Sequence, residues 1–153
     1  MELEQAKQQA INKFNILKDK EIVCPAIWVK IKFNHKRFSH IIYKDSKHKR
    51  SEQEQIERFK CFIKVDTIIK KSHLYQEFMI KEEIVKERNH WKTKQEKRLI
   101  EYIWLVWIVN HNQMKSRIKV VIRKDTTKEY AEFFSIIPAW NIEWYRNFIG
   151  PIS

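Results

Sequence analysis

The residues best suited to chemistry lie between Phe33 and Arg50, in the stretch FNHKRFSHIIYKDSKHKR, which holds three histidines and six lysines or arginines. Histidine has an ordinary pKa of about 6.5, so it can both accept and donate a proton near neutral pH. Neighbouring cations lower the pKa of an imidazole and thereby favour its neutral, proton-accepting form. Such a segment is typical either of a solvated basic surface or of a site that binds and cuts a polyanion.

Metal-free cleavage of RNA is the reaction that these side chains suit best. A general base takes the proton of the ribose 2′-OH, a general acid protonates the leaving 5′-oxygen, and cations stabilise the charge on the phosphate. We predict that His40 and His48 transfer the protons and that Arg117 and Lys119 stabilise the charge. The product would be a 2′,3′-cyclic phosphate, and the need for a 2′-OH excludes DNA as a substrate.

A metal-dependent nuclease fits the sequence less well. The chain has no HExxH motif and no Cys/His spacing of a zinc site. Asp45, Ser46 and Lys47 match the D-x-K pattern of some nuclease centres, but no acidic partner nearby in sequence could hold Mg²⁺. Three Asn-His pairs fit turns better than a metal site. We therefore expect neither a metal nor another cofactor.

The composition favours a nucleic-acid partner. The 153 residues carry 31 lysines and arginines against 19 acidic residues, a formal charge of +12, together with six Trp, five Tyr and nine Phe. Such an excess of positive charge points to nucleic acid or an anionic membrane surface, and interleaved aromatic rings suit RNA or single strands. Besides the catalytic candidates, the cations predicted to bind substrate are Lys36, Arg37, Lys47, Lys49, Arg50 and Arg123.

Several features predict a soluble, cytoplasmic protein that does not bind membranes. The polar N-terminus is no signal peptide, and the longest apolar run, YIWLVWIV, is too short to span a bilayer. Cys24 and Cys61 lie far apart in apolar runs, and we expect both to be buried free thiols. The single glycine, Gly150, excludes a glycine-rich phosphate loop.

The N-terminal half reads as helices around one strand. Residues 2–20 form an amphipathic pattern, and 24–33 alternate as a strand. Asn34 can cap a short helix over 35–44. Ser51 and Glu54 match a capping box, which predicts a helix from Glu52 that buries Ile56, Phe59 and Ile63.

The C-terminal half reads as an antiparallel meander, with strands at 98–109, 116–124 and 129–138. In the middle strand Ile118, Val120 and Ile122 should face the core, opposite Arg117, Lys119 and Arg123. Segment 66–98 is the hardest to interpret: VDTIIKK (65–71) and HLYQEFMI (73–80) suit strands, while 77–98 suits either a helix or a charged strand pair joined by a long loop.

These elements predict one α+β domain over 1–153, with N-terminal helices packed on a mainly antiparallel sheet of about four to five strands. Within it we expect an N-terminal helix (1–20), a nuclease-like core (24–138) and an aromatic tail (139–153), whose rings would cover an apolar surface or a partner.

The order of these motifs resembles a known superfamily. An apolar strand leads into HII, KH follows with its histidine eight residues after His40, and after a capped helix come the strands IKVVIR and FFSIIP. This pattern, over about 27–138, is similar to the metal-independent RNases that include barnase, EndoU, the tRNA-cutting colicins and RelE-type toxins, and above all to the small forms carried by phages and mobile elements.

The resemblance implies an endoribonuclease of toxin type, with tRNA as one candidate substrate and an acidic antitoxin or immunity protein as a candidate partner. It places a histidine on the early helix, cations on central strands and a serine or threonine on a late strand. The matching residues are His40, His48, Arg117, Lys119, Arg123 and Ser135. Some members use an acidic general base, for which Glu101 and Glu132 are the candidates on strands.

Two other classes of function stay open. One is a nucleic-acid-binding accessory protein of a phage or mobile element without catalysis, which would bind with a steep salt dependence. The other is an interaction protein for an acidic partner, anchored by the aromatic tail.

Overall fold

The computed structural model describes residues 2–89, 91–111 and 114–139, so the predicted aromatic tail lies, from residue 140 on, outside the described residues. None of the helices in these ranges is long and apolar enough to cross a membrane. The elements in chain order are α1 (Glu2–Leu17), β1 (Ile22–Cys24), β2 (Val29–Lys32), α2 (His35–Phe38), a 3₁₀ helix (Ser39–Ile41), α3 (Glu52–Phe62), α4 (Val65–Lys71), β3 (Glu77–Asn89), β4 (Lys92–His111), β5 (Met114–Asp125) and β6 (Tyr130–Ala139).

The strands form one sheet in the order β1-β2-β6-β5-β4-β3. All neighbours are antiparallel except β2 and β6, which run parallel. The predicted α+β class with helices against a mainly antiparallel sheet is thus confirmed, with six strands in place of four to five. The additional strands lie at the two ends of the sheet. At one end, β1 and β2 replace the single strand predicted over 24–33, and at the other end β3 lies in segment 66–98.

The predicted continuous strand over 24–33 is wrong, because the chain turns between Cys24 and Val29. Pro25 has no N–H to donate to a ladder, and Trp28 has a φ of 54°, in the left-handed region. The turn folds β1 back onto β2, with Cys24 opposite Val29. Two predicted helices are also shorter than expected: α1 ends at Leu17, and the helix from His35 becomes a 3₁₀ turn at Ser39.

Segment 66–98 contains one helix and one long hairpin. The predicted strand over 65–71 is wrong, since this segment is α4 and buries Val65, Ile68 and Ile69. The later part is the charged strand pair, one of the two predicted alternatives, but the connection is short: only residues 90 and 91 separate β3 from β4.

The core lies between the helices and one face of the sheet. Ile118, Val120 and Ile122 face it, which confirms the predicted core face of β5. Phe133 of β6 contacts the rings of Phe33 and Phe62, each with centroids 5.5 Å away. Of the three residues that α3 is predicted to bury, Ile56 and Phe59 are buried. The helix ends at Phe62, whose side chain is fully buried, whereas the third predicted residue, Ile63, is only partly buried.

The lengths of β2 and β6 differ, and this difference shapes one edge of the sheet. The ladder between them ends where Lys32 meets Glu132, while β6 continues to Ala139. Beyond that point α2, the 3₁₀ helix and α3 lie against β6 in place of a strand. The guanidinium of Arg58 on α3 donates to the Ile136 carbonyl oxygen at 2.7 Å. Helical elements thus cover an edge whose backbone groups a strand would otherwise satisfy.

Both cysteines are buried free thiols, as predicted. Burial raises the pKa of Cys61 to about 12 and also raises the pKa of Cys24. Since the thiolate is the reactive form, we expect a thiol reagent such as DTNB at pH 8 to titrate neither cysteine in the native protein and both in guanidinium. A thiol that reacts within the mixing time, or no thiol after denaturation, would contradict this structure.

Candidate functional site

The face of the sheet that points away from α1, α3 and α4, called here the open face, carries a groove of about 540 Å³. Strands β5 and β6 form its floor, α2 forms one wall and β3 forms the other. The residues that line it are Asn34, Lys36, Arg37, Glu83, Ile84, Val85, Lys86, Arg123 and Glu132. Four of these are cations and two are carboxylates, so the groove suits an anion that is also held by hydrogen bonds.

The first wall is set by the cap of α2. Asn34 has extended backbone angles (φ −128°, ψ 159°), and its side-chain oxygen accepts the backbone N–H of Arg37 at 3.0 Å. This is the predicted N-cap, and it fixes the first turn of a helix only four residues long. The Arg37 guanidinium then lies over the Phe134 ring, 4.6 Å from its centroid, in cation–π geometry.

Phe134 reaches the open face because β6 has an irregular register there. Val121 is opposite Ser135, while the next residue, Ile122, is opposite Phe133, so Phe134 is the extra residue of a bulge. Its ring lies 5.2 Å from the ring of Tyr102, edge to face, and 6.3 Å from the imidazole of His40. Phe134 is therefore the platform around which Arg37 and His40 meet.

The second wall brings Glu83 beside Arg123 of the floor. The Arg123 guanidinium lies 3.5 Å from Oε1 of Glu83, and Oε2 of Glu83 accepts a hydrogen bond from the Tyr102 hydroxyl. Glu132 is directly opposite Arg123 in the ladder. Burial, and then the charge of Arg123, lower the pKa of Arg37, while Glu132 and Glu83 act in the opposite direction. Two guanidiniums therefore share the groove, balanced by two carboxylates.

The imidazole of His40 lies beside this groove, next to the Phe134 ring. Partial burial lowers its pKa, and the positive charges of Arg37, Arg50 and Lys36 lower it further. Arg50 is held in place, since its Nε donates to the His40 carbonyl oxygen at 2.9 Å. This lowering of the pKa favours the neutral form of the imidazole, which is the form that accepts a proton.

Other predicted residues lie apart from the groove. His48 is on an exposed turn, with 71% of its side chain accessible, and its Nδ1 lies 2.9 Å from Asp45. Asp45 also accepts the backbone N–H groups of Lys47 and His48, so the D-x-K pattern forms a turn. Lys47 and Lys49 are exposed on the same turn. Their predicted contacts with substrate would therefore involve this turn, beyond the groove itself.

Two predicted cations lie farther along β5. Lys119 is only 5% exposed; it pairs with Glu77 at 3.5 Å and lies 5.6 Å from the Trp104 ring centroid. Arg117 is six residues from Arg123, about 20 Å along an extended strand. A single phosphate therefore cannot contact both Arg117 and Arg123. Ser135, in contrast, is on the open face beside the Phe134 bulge, opposite Val121.

Three residues of the site were not found from the sequence: Glu83, Tyr102 and Phe134. The available signal for Phe134 was the doubled phenylalanine in EFFSIIP, which interrupts the strand alternation and marks a bulge. Glu83 and Tyr102 carried no such signal, because their roles depend on the pairing of β3 with β4, in which Arg98 rather than Tyr102 is opposite Glu83. Glu101, one of two predicted acidic candidates, is not among the groove residues, whereas Glu132 is.

No group of three or more His, Cys, Asp or Glu side chains with the geometry of a metal site occurs within residues 2–89, 91–111 and 114–139. No protein-family model, no curated protein and no solved structure matches the chain. The resemblance to metal-independent RNases therefore rests on the residue pattern alone and stays a prediction.

The lowered pKa of His40 can be measured directly. In an NMR titration we expect the His40 imidazole to titrate below its ordinary value of 6.5, and Arg37→Gln to raise this pKa because one of the nearby cations is removed. Since the unfolded chain binds this proton more tightly, His40 should also reduce stability as the pH falls from about 6.5 through its folded-state pKa.

Lys70→Gln, an exposed change on α4, is the matched control and should leave the His40 titration unchanged. A His40 pKa at or above 6.5, or an equal response to both substitutions, would contradict the described electrostatics.

Proposed function

We propose that this chain is a metal-independent endoribonuclease that cleaves RNA at the groove between α2 and β3. The observation that carries the proposal is the meeting of a neutral imidazole, His40, with Arg37 at the Phe134 ring, beside a groove that also holds Arg123. These groups correspond to the needs of 2′-OH attack: a proton acceptor near neutral pKa and preorganised cations for the phosphate.

The proposed roles follow from position and charge. Arg37 and Arg123 hold the non-bridging oxygens of the scissile phosphate, because guanidiniums bind such oxygens in a bidentate fashion. His40 takes the proton of the 2′-OH, and Glu132, in the same groove, is the second candidate for this base. The leaving 5′-oxygen takes its proton from solvent in this scheme, because His48, the residue predicted to donate it, lies on an exposed turn apart from the groove.

The Phe134 ring positions the reacting groups, because Arg37 lies over it and the rings of His40 and Tyr102 adjoin it. RNA is the favoured class because the reaction requires a 2′-OH. The same proposal includes a toxin-type role, tRNA as a substrate and a cytoplasmic location. The cytoplasmic location is supported by the two buried free thiols, Cys24 and Cys61.

The experiment is cleavage of total tRNA and of single-stranded DNA by the purified protein in excess EDTA, followed by analysis of the product ends. We expect RNA fragments with 2′,3′-cyclic phosphates and intact DNA. His40→Ala should lower the rate by about 10²- to 10⁴-fold, the range for loss of a general acid or base. Arg37→Gln should lower it by about 10²- to 10³-fold.

His73→Ala is the matched control, because His73 is exposed in the connection after α4 and has no role in the groove. It should keep full activity, and circular dichroism should show all variants folded. Full activity of both groove variants would overturn the site, and cleavage that stops on EDTA addition would overturn the metal-free reaction.

Nucleic-acid binding without catalysis is the second candidate function, favoured by the excess of 12 positive charges. It predicts binding of RNA and single-stranded DNA alike, with affinity that falls steeply with salt, and no cleavage of either.

A further inference from the structure

The hairpin of β3 and β4 extends beyond the rest of the sheet. Strand β5 pairs with β4 only from Ile100 onward, so residues 82–99, called here the arm, form a two-stranded ribbon. Its base is fixed to the sheet: Arg98 contacts Asp125 at 2.9 Å, and Thr126 donates its backbone N–H to the Leu99 carbonyl oxygen at 3.1 Å. Val85 packs against the apolar cluster of the open face. The arm therefore has a fixed position beside the groove.

The acidic side chains of the arm are engaged in ion pairs, whereas the cations toward its tip lie on both of its faces, Lys92 and Lys94 on the face of Glu87 and Lys86 and Arg88 on the other. Its carboxylates Glu87 and Glu96 pair with Arg98 at 2.7 and 3.0 Å, and Glu87 also contacts Lys128 at 3.3 Å. The cations toward the tip are exposed, and among the described residues none of them has a carboxylate within 4 Å. These cations are Lys86, Arg88, Lys92 and Lys94. The outer part of the arm is consequently a cationic surface.

Trp91 lies at the tip of the arm with 95% of its surface exposed. Aromatic rings of this size normally bury about 150–250 Å² and contribute to stability by doing so, which Trp91 does not. An exposed indole between lysines and arginines is the combination by which proteins bind single-stranded nucleic acid: the ring stacks on a base while cations contact phosphates.

We propose that the tip of the arm is a second nucleic-acid contact, in which Trp91 stacks on an unpaired base and Arg88, Lys92 and Lys94 hold the adjacent phosphates. The inference deepens the proposed function and rests on it in one respect: the strand held at the tip is the one cleaved in the groove. Strand β3 continues for four residues beyond Val85 at the groove, to Asn89, about 13 Å of strand. The substrate is therefore a strand several nucleotides long, unpaired where it reaches the tip.

A single strand fits this surface better than a membrane or a duplex. Membrane-binding surfaces present several apolar side chains together, whereas the tip presents one indole beside Arg88, Lys92 and Lys94, and the exposed Ile84 lies back at the groove. A duplex keeps its bases stacked on one another and offers none to the indole. Binding to anionic vesicles is the competing outcome in the test below.

The test measures binding of a fluorescent 2′-deoxy oligonucleotide, which the proposed reaction cannot cleave, at fixed salt. We expect Trp91→Ala to weaken binding about tenfold or more, in line with the removal of one stacked base. Lys92→Gln with Lys94→Gln should reduce the salt slope by about 0.7 for each phosphate that the protein no longer neutralises. Trp28→Ala is the matched control, since Trp28 is 77% exposed in the turn at the opposite end of the sheet, and it should bind like the wild type.

The outcome of this binding test bears on the arm independently of whether the groove cleaves RNA. Weaker binding by the Trp91 variant alone supports the arm, even if the wild type cleaves no RNA and the proposed function fails. Unchanged binding, an equal decrease in the Trp28 variant, or a decrease confined to vesicles of anionic lipid overturns the arm, whatever the wild type does to RNA.

Discussion

The candidate site depends on a difference in strand length: β2 ends at Lys32, while the neighbouring β6 continues to Ala139. After Lys32 meets Glu132, β6 continues for seven residues, and no strand of the described part of the chain pairs with it on that side. Strand edges in proteins are commonly covered by other elements, and here α2 and the 3₁₀ helix take that position. Had β2 continued, the segment that carries Arg37 and His40 could not lie beside Phe134. The groove is thus a consequence of strand length before it is a consequence of any catalytic side chain.

The two guanidiniums of the groove are each offset by a neighbouring group. Arg123 pairs with Glu83, and Arg37 lies on the Phe134 ring with Glu132 as its nearest source of negative charge on the floor. Among the described residues Arg37 has no carboxylate within 4 Å, so its guanidinium is the cation best placed to exchange its present contact for a phosphate. The same positive charges lower the pKa of His40, which links anion binding and proton transfer in one electrostatic arrangement.

The sequence predicted what local pattern determines. Alternation placed the core face of β5, the Asn34 and Ser51 caps began α2 and α3, and the basic histidine segment located His40 and Arg37. It could not predict what depends on pairing between distant strands. Glu83 joins the site only through the curvature and register of the arm, and the spacing between Arg117 and Arg123 separates side chains that share one strand face. The turn at Pro25 was missed because Ile27, Val29 and Ile31 keep a strand alternation across it.

The claim that the groove catalyses 2′-OH attack is tested most directly by changing one atom of the substrate. An RNA with a mapped cleavage position would be prepared with a single 2′-deoxy nucleotide on the 5′ side of that bond and incubated in excess EDTA. We expect cleavage at this bond to disappear while cleavage at other positions and binding remain. Cleavage at the same bond without its 2′-OH would contradict the proposed reaction, because the nucleophile would then be a different group.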